Sequence, residues 1–320
     1  MLRPAHVLRT FSWMTMALAV TAACGQNYPE RPVHIVTSEP GGGNDFVTRV
    51  IAQQLAGNIG QPVIVDNRAS VITVETVAKA PPDGYTLLSN GGIIWVEPMT
   101  RPNVSWDAVR DFSPVILVAS SPNILVVHPS MPVKSVQDLI ALAKANPGAL
   151  NYSSAATGTS SHISAELFKS MAGVDIVRVS YKGTGPAVND LVAGQVQLMF
   201  ATSASVAPLL KTGRLRALAV TGAQPSALLP GLPAVASAGL PGYETATLYT
   251  IVAPAKTPDA IIRRINQDVT RVLVRDDVKE KLLSAGMEIA GGTPEQLAAR
   301  IKSEIAALGR VIKSAGIRAD

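Results

Sequence analysis

An α/β fold, built on an open and mainly parallel sheet, is predicted by three observations. Short apolar runs alternate with helical patterns along the first two thirds of the chain. Ile35–Arg49 reads strand, glycine-rich loop, helix. The same order returns around Ser153–Ser161, where a run of small residues leads from a strand into a helix.

The elements follow in order. Tyr28-Pro-Glu-Arg-Pro32 is a stiff entry to a first strand, Val33–Val36. The loop Pro40–Gly43 breaks the strand, and Val47, Val50, Ile51 and Leu55 then recur at helical spacing until Asn58-Ile-Gly60. Pro62–Asp66 is a second strand, Val74–Ala80 a helix, Pro82-Asp83-Gly84 a turn and Tyr85–Leu88 a third strand. Trp106–Phe112 reads as a short helix or turn, and Val115–Val118 and Ile124–Val127 as separate strands. Ser135 caps a helix over Val136–Ala145, which Asn146-Pro147-Gly148 ends. Strands are predicted at Asn151–Ser153, Ile176–Val179, Val196–Phe200 and Leu215–Val220, with helices at His162–Met171 and Ala187–Ala193. The Pro/Gly-rich Gln224–Gly242 is a surface loop. Towards the end, Thr257-Pro258 signals an N-cap followed by proline at the first helical position. Ile262, Ile265, Val269 and Val272 form the apolar face of that helix, and Thr293-Pro-Glu-Gln296 is a capping box opening the last one.

The chain has 320 residues, enough for one large domain or two medium ones, and 47% of them are apolar. Its formal charge of +5 is dispersed, with no aromatic-rich basic patch, which excludes a nucleic-acid protein. There is no zinc-like Cys/His spacing, and no cofactor is expected. Residues 1–26 read as a signal peptide, the alternative being an uncleaved anchor helix: Arg3, His6 and Arg9 precede an apolar Phe11–Val20 too short to span a bilayer comfortably, then small residues reach Cys24. Cys24, the sole cysteine, sits where a lipoprotein cysteine would, behind an imperfect lipobox with Thr21; acylation and simple cleavage both stand.

The Gly41-Gly42-Gly43-Asn44-Asp45 loop is neither a Walker loop, since no G-K-[ST] follows, nor a dinucleotide fingerprint. Two readings remain: a tight turn, or an anion site made of glycine backbone and a helix N-terminus. Asp45 reads as a helix-start residue rather than an acid catalyst. Ser153–Ser161 offers hydroxyls and N–H groups before a second helix, and two such N-termini facing one cleft would hold a carboxylate. His162 is either a local cap contact or a ligand donor; Lys182 is either a loop cation at the site or solvated; Glu39 either faces the cleft or solvent. Ser154 and His162 have neither a nucleophile elbow nor an orienting acid, so an enzyme is not expected.

Motifs along nearly the whole chain carry a family resemblance. They include Tyr28–Val33 (Y-P-E-R-P-V), Pro40–Asp45 (P-G-G-G-N-D), Gly60–Arg68 (G-Q-P-V-I-V-D-N-R) and Pro82–Leu88 (P-D-G-Y-T-L-L). Asp111–Val115, Asn151–Ser154 with Gly158–His162, Tyr181–Gly183, Asp190–Val196, Gly213–Thr221 and Ala253–Pro258 continue the series. The chain resembles the periplasmic solute-binding receptors of tripartite tricarboxylate transporters. That resemblance implies a two-lobed, flytrap-like α/β fold with two crossing strands. One lobe would be residues 27–122 with 250–320, the other 123–249. It implies capture of a small organic acid in the periplasm, delivery to membrane permease subunits, and a monomer. Expected ligand contacts are Ser38, Glu39, Gly41, Gly42, Gly43, Asn44 and Asp45 from the first loop. Ser153, Ser154, Gly158, Thr159, Ser160 and His162 come from the second, with Lys182, Gly183 and Ala201 nearby. The chain departs from the family pattern at Ser38-Glu39, at the glycine-free Ala69–Thr73, at Ala201 and at Leu248-Tyr249. Those departures motivate an alternative, a paralogue serving as a ligand sensor rather than in transport.

Overall fold

The computed structural model describes residues 28–38, 40–101, 103–155, 158–181, 183–226, 229–314 and 317. The leader with Cys24, and Glu39 and Lys182 of the expected site, lie outside the described residues.

Ten strands and ten helices are described. In chain order they are β1 (Val33–Thr37), α1 (Gly43–Ile59), β2 (Val63–Asn67), α2 (Ser70–Ala78), β3 (Thr86–Asn90), α3 (Ile93–Thr100) and β4 (Phe112–Val127). Next come α4 (Val136–Ala145), β5 (Asn151–Ser154), α5 (Ser160–Ala172), β6 (Val177–Ser180), α6 (Thr184–Val192), β7 (Leu198–Thr202), α7 (Ser203–Lys211) and β8 (Arg216–Val220). The chain closes with β9 (Ala246–Pro254), α8 (Asp259–Leu273), α9 (Asp276–Ser284), β10 (Glu288–Gly291) and α10 (Pro294–Ser314).

The strands form two sheets that share β4. Phe112–Pro122 of β4 pairs antiparallel with β9, and β10 lies on its other side. From Asn123 the same strand pairs with β7 and β8 instead. The first sheet continues through β3, β1 and β2, and the second through β5 and β6. β1, β2 and β3 run parallel, as do β5, β6 and β7.

Each sheet is covered on both faces, so its strands are apolar on alternate sides of the pleat. Ile35 and Leu87 turn into one cluster with Ile51, Leu55, Val269 and Val272 of α1 and α8. Their neighbours Val36 and Leu88 turn the other way, onto Ile94 and Trp95 of α3 and Leu297 and Ile301 of α10. In the second sheet Phe200 faces Phe168 and Leu139, while Met199 faces Leu191 and Val206. Each fully buried side chain of this kind contributes about 1.5–3 kcal/mol.

A buried polar cluster marks the point where β4 changes sheets. Thr221 Oγ1 accepts from Asn123 N (2.8 Å) and donates to Thr245 O (2.7 Å). Asn123 Nδ2 donates to Ser164 Oγ (3.0 Å), which also meets Thr245 Oγ1 (2.7 Å). These side chains are all buried, so the bonds fix β4 against the segment entering β9.

Several expectations need correction. Val115–Val118 and Ile124–Val127 belong to one long strand, because Pro122 sits at the hand-over between sheets rather than in a turn. Helices α3 and α7 and strand β9 were not expected. Pro98 and Pro208 inside those two helices hide them, since proline withholds a helical hydrogen bond. Thr257 does not cap a helix; its hydroxyl donates to Pro254 O (2.7 Å) and α8 starts at Asp259. Ser135 does cap α4, and Thr293 and Gln296 exchange the two bonds of a capping box (2.8 and 3.2 Å).

Candidate functional site

The carboxyl ends of β1, β3, β5, β6 and β7 point at one cavity of about 530 Å³. Each of these strands passes through a short loop into a helix, and the first residues or N-caps of those helices line the cavity. They are Asn44 of α1, Gly92 and Ile93 of α3, Thr159 and Ser160 of α5, Thr184 of α6, and Thr202 before α7. None of the five helices has a side-chain N-cap bond. Helix starts carry N–H groups without helical partners and a partial positive charge. Ligands of open α/β sheets settle at such carboxyl strand ends.

The first two loops share one construction. Asp45 is the third residue of α1, and its Oδ2 accepts the N–H of Gly41 (3.0 Å). His162 is the third residue of α5, and its Nδ1 accepts the N–H of Gly158 (3.2 Å). Both glycines have φ near +80°, at 84° and 81°, a region closed to most side chains. A side chain four residues on therefore ties down each left-handed turn.

Asp45 is buried, and that burial pushes its pKa up. The N–H of Gly41, the guanidinium of Arg49 (2.9 Å) and the amide of Asn67 (2.8 Å) outweigh it and hold the carboxyl below its ordinary range. Burial, helped by nearby Arg178 and opposed by Glu166, lowers the pKa of His162 from 6.5 to about 4. The imidazole is neutral, and acceptance at Nδ1 assigns its proton to Nε2. Arg178 itself lies under the second loop, donating to Ser154 Oγ (2.8 Å) and Ala155 O (3.1 Å).

A side-chain triad forms one floor of the cavity. Gly91 N donates to Asn90 Oδ1 (2.7 Å), which fixes the orientation of that amide. Asn90 Nδ2 donates to Ser38 Oγ (2.9 Å), and Asn44 Nδ2 donates to Ser38 Oγ (3.3 Å) and Asn90 Oδ1 (3.1 Å). Both lone pairs of Ser38 Oγ are thereby used, which leaves its O–H to donate to a ligand. Thr48 holds α1 to the sheet behind the triad, bonding Asn44 O (2.6 Å), Ser89 Oγ (2.7 Å) and Thr37 Oγ1 (3.1 Å).

Of the expected contacts, Ser38, Asn44, Gly158, Thr159 and Ser160 line the cavity. Gly41, Gly42, Gly43 and Asp45 shape the first loop, and Ser153, Ser154 and His162 the second, without lining it. Gly183 is the N-cap of α6. Ala201 is fully buried against Ile124 and Val126. The sequence reading missed Asn90, Gly91, Trp95, Thr184, Thr202 and Thr245–Leu248. Strand ends followed by small residues, Asn90-Gly-Gly92 and Thr202-Ser203, were the available signal. No Lys, Arg or His is among the described lining residues, and Glu97 and Glu304 are. No cluster of His, Cys, Asp or Glu suited to a metal occurs among the described residues.

Residues 47–317 match the family described as Tripartite tricarboxylate transporter family receptor. The chain belongs to this family. A relative from Pseudomonas sp. strain P51, the UPF0065 protein in the tcbD-tcbE intergenic region, is 38% identical over 304 residues, covering 92% of this chain and 90% of that one. The solved structure of R. palustris Rpa4515 with adipate is 40% identical with a TM-score of 0.73, covering 91% of this chain and 99% of that one. MatC (Rpa3494) from Rhodopseudomonas palustris with bound malate is 30% identical with a TM-score of 0.69, covering 89% and 100%. The fold of this receptor is that of two-domain periplasmic solute-binding proteins.

Proposed function

We infer that this receptor captures a small organic acid between its two lobes in the periplasm and delivers it to a tripartite-type membrane transporter. The observation that carries the reading is the convergence of five helix starts on one cavity whose described lining has no cationic side chain. A carboxylate there is held by main-chain N–H groups and by Ser38, each contact adding on the order of 1 kcal/mol. The cavity volume suits a small molecule. Relatives that hold adipate and malate support the ligand class, and the family description supports the transporter. The closing lobes are residues 27–122 with 250–320 and residues 123–249, swinging about β4 near Asn123 and the segment entering β9. No helix of the described residues is long and apolar enough to cross a membrane.

The receptor binds and does not turn over its ligand. Ser154 Oγ donates to Ala155 O (3.1 Å) and accepts from Arg178, while Nδ1 of His162 is taken by Gly158. Neither residue is placed as nucleophile or base to the other.

Thermal melting in a panel of mono-, di- and tricarboxylates, with the matching alcohols as controls, tests this. At about a hundred-fold excess over Kd, a bound acid adds roughly 2.7 kcal/mol and raises Tm by several degrees. Ser38→Ala lowers affinity for that acid about tenfold. A panel in which no acid at millimolar concentration moves the melt refutes the reading.

A further inference from the structure

The cavity lining has two unlike parts. The helix starts and the Ser38–Asn44–Asn90 triad make the anion part described above. The other part is apolar, made of Trp95, Val96, Ile163, Leu248 and Leu308, and α10 packs against both α3 and α5 beside it. Glu97 and Glu304 line the cavity too, with side chains only 18% and 13% exposed. Each is held from outside the cavity lining, Glu97 by Arg101 (2.7 Å) and Glu304 by Arg300 (2.8 Å). Trp95 is 2% exposed, and its indole N–H has no hydrogen-bond partner among the described residues. An unpartnered N–H at such burial is destabilising, and a ligand acceptor would recover that loss.

We propose that this second part reads the far end of the ligand and takes an acid with an apolar body ending in a hydroxyl, in preference to a second carboxylate. The claim rests on the carboxylate reading of the anion part. A hydroxyl both donates and accepts, so one group serves an acidic oxygen and the Trp95 N–H together. A terminal carboxylate would be desolvated beside two acidic side chains, where like charges at short range repel. A bare methyl end leaves the Trp95 N–H unmet. Burial raises the pKa of Glu304, and the nearby Glu244 adds to that against the lowering by Arg300, so this part resists added negative charge. The acids with which the two solved relatives are described, adipate and malate, carry a carboxylate at each end. Here the chain departs from them in preference.

Calorimetry at neutral pH on the full mature receptor, with hexanoate, ω-hydroxyhexanoate, adipate and the short acid malate, separates the outcomes. The expected result is binding of ω-hydroxyhexanoate at least tenfold tighter than adipate and severalfold tighter than hexanoate. Trp95→Phe keeps the ring and removes the N–H, and it reduces the hydroxyl preference over hexanoate severalfold. Glu304→Gln and, independently, Glu97→Gln narrow the gap to adipate; each is checked for a wild-type circular dichroism spectrum. Adipate equal to or tighter than the hydroxy acid, or a hydroxyl preference unchanged in all three variants, overturns the inference. Binding of malate alone also overturns it while the carboxylate reading stands. Silence from all four acids overturns the inference, and the carboxylate reading falls separately if the melting panel is silent too.

Discussion

His162 shows how one side chain serves the loop instead of chemistry. Its folded pKa, about 4, lies below the ordinary 6.5 because charging it inside the second loop is costly. The unfolded chain therefore binds a proton between pH 6.5 and 4 that the folded chain refuses, so stability rises with pH across that window and falls on acidification. The loss is roughly 3 kcal/mol at most. Asp45 acts in the same direction but lower, since its carboxyl is already depressed below an ordinary value near 3.8. His162→Gln keeps an acceptor for Gly158 and removes the imidazole. Denaturant melts of that variant will show a flatter pH dependence between pH 6.5 and 4 than wild type; an unchanged slope means that His162 does not titrate as described. A local contact was one of the two roles the sequence left open for His162; that its partner is the N–H of Gly158 was not legible, because an N–H accepted four residues back is set by backbone φ rather than by composition.

At the scale of elements, the strand–loop–helix unit is what the sequence made readable and what it concealed. Three of the five units were readable, Pro40–Asp45 through its glycines, Ser153–Ser161 through its small residues, and the unit after β6 as the strand Ile176–Val179 followed by the helix Ala187–Ala193. The units after β3 and β7 did not, because proline in α3 and α7 argued against helix. The fusion of two expected strands into β4 was equally hidden, as no local signal records a strand that changes sheets. Two substitutions probe the units. Asp45→Ala strands the N–H of Gly41 and the amide of Asn67 and costs about 2 kcal/mol, with weakened ligand binding, whereas Asp45→Asn retains one acceptor and costs less. Gly91→Ala places a methyl carbon 1.7 Å from Leu248 O, backbone that cannot swing aside. It lowers stability by about 3 kcal/mol or more and disturbs the triad that Gly91 N orients. Urea denaturation reads both. A Gly91→Ala protein as stable as wild type would contradict the close approach of β9 to the β3–α3 loop.

Over the whole molecule, the family was legible because many short motifs keep their order from Tyr28 to Pro258, and their sum is specific where none is alone. What no motif states is that five helix starts meet, since convergence belongs to the sheet order and not to any segment. The long β4 and its buried polar cluster at Asn123 give the two sheets a shared axis. In the proposed function, closure around that axis draws on contacts that exist only when the ligand is held from both sides. The central claim is that main-chain N–H groups at the helix starts grip the carboxylate. Amide proton–nitrogen spectra, recorded during titration with the acid that raises Tm most, test it directly. The account predicts the largest downfield amide shifts at Asn44, Ser160, Thr184 and Ser203, from both lobes together. Saturation of binding with those amides unmoved, and the shifts elsewhere, would contradict it.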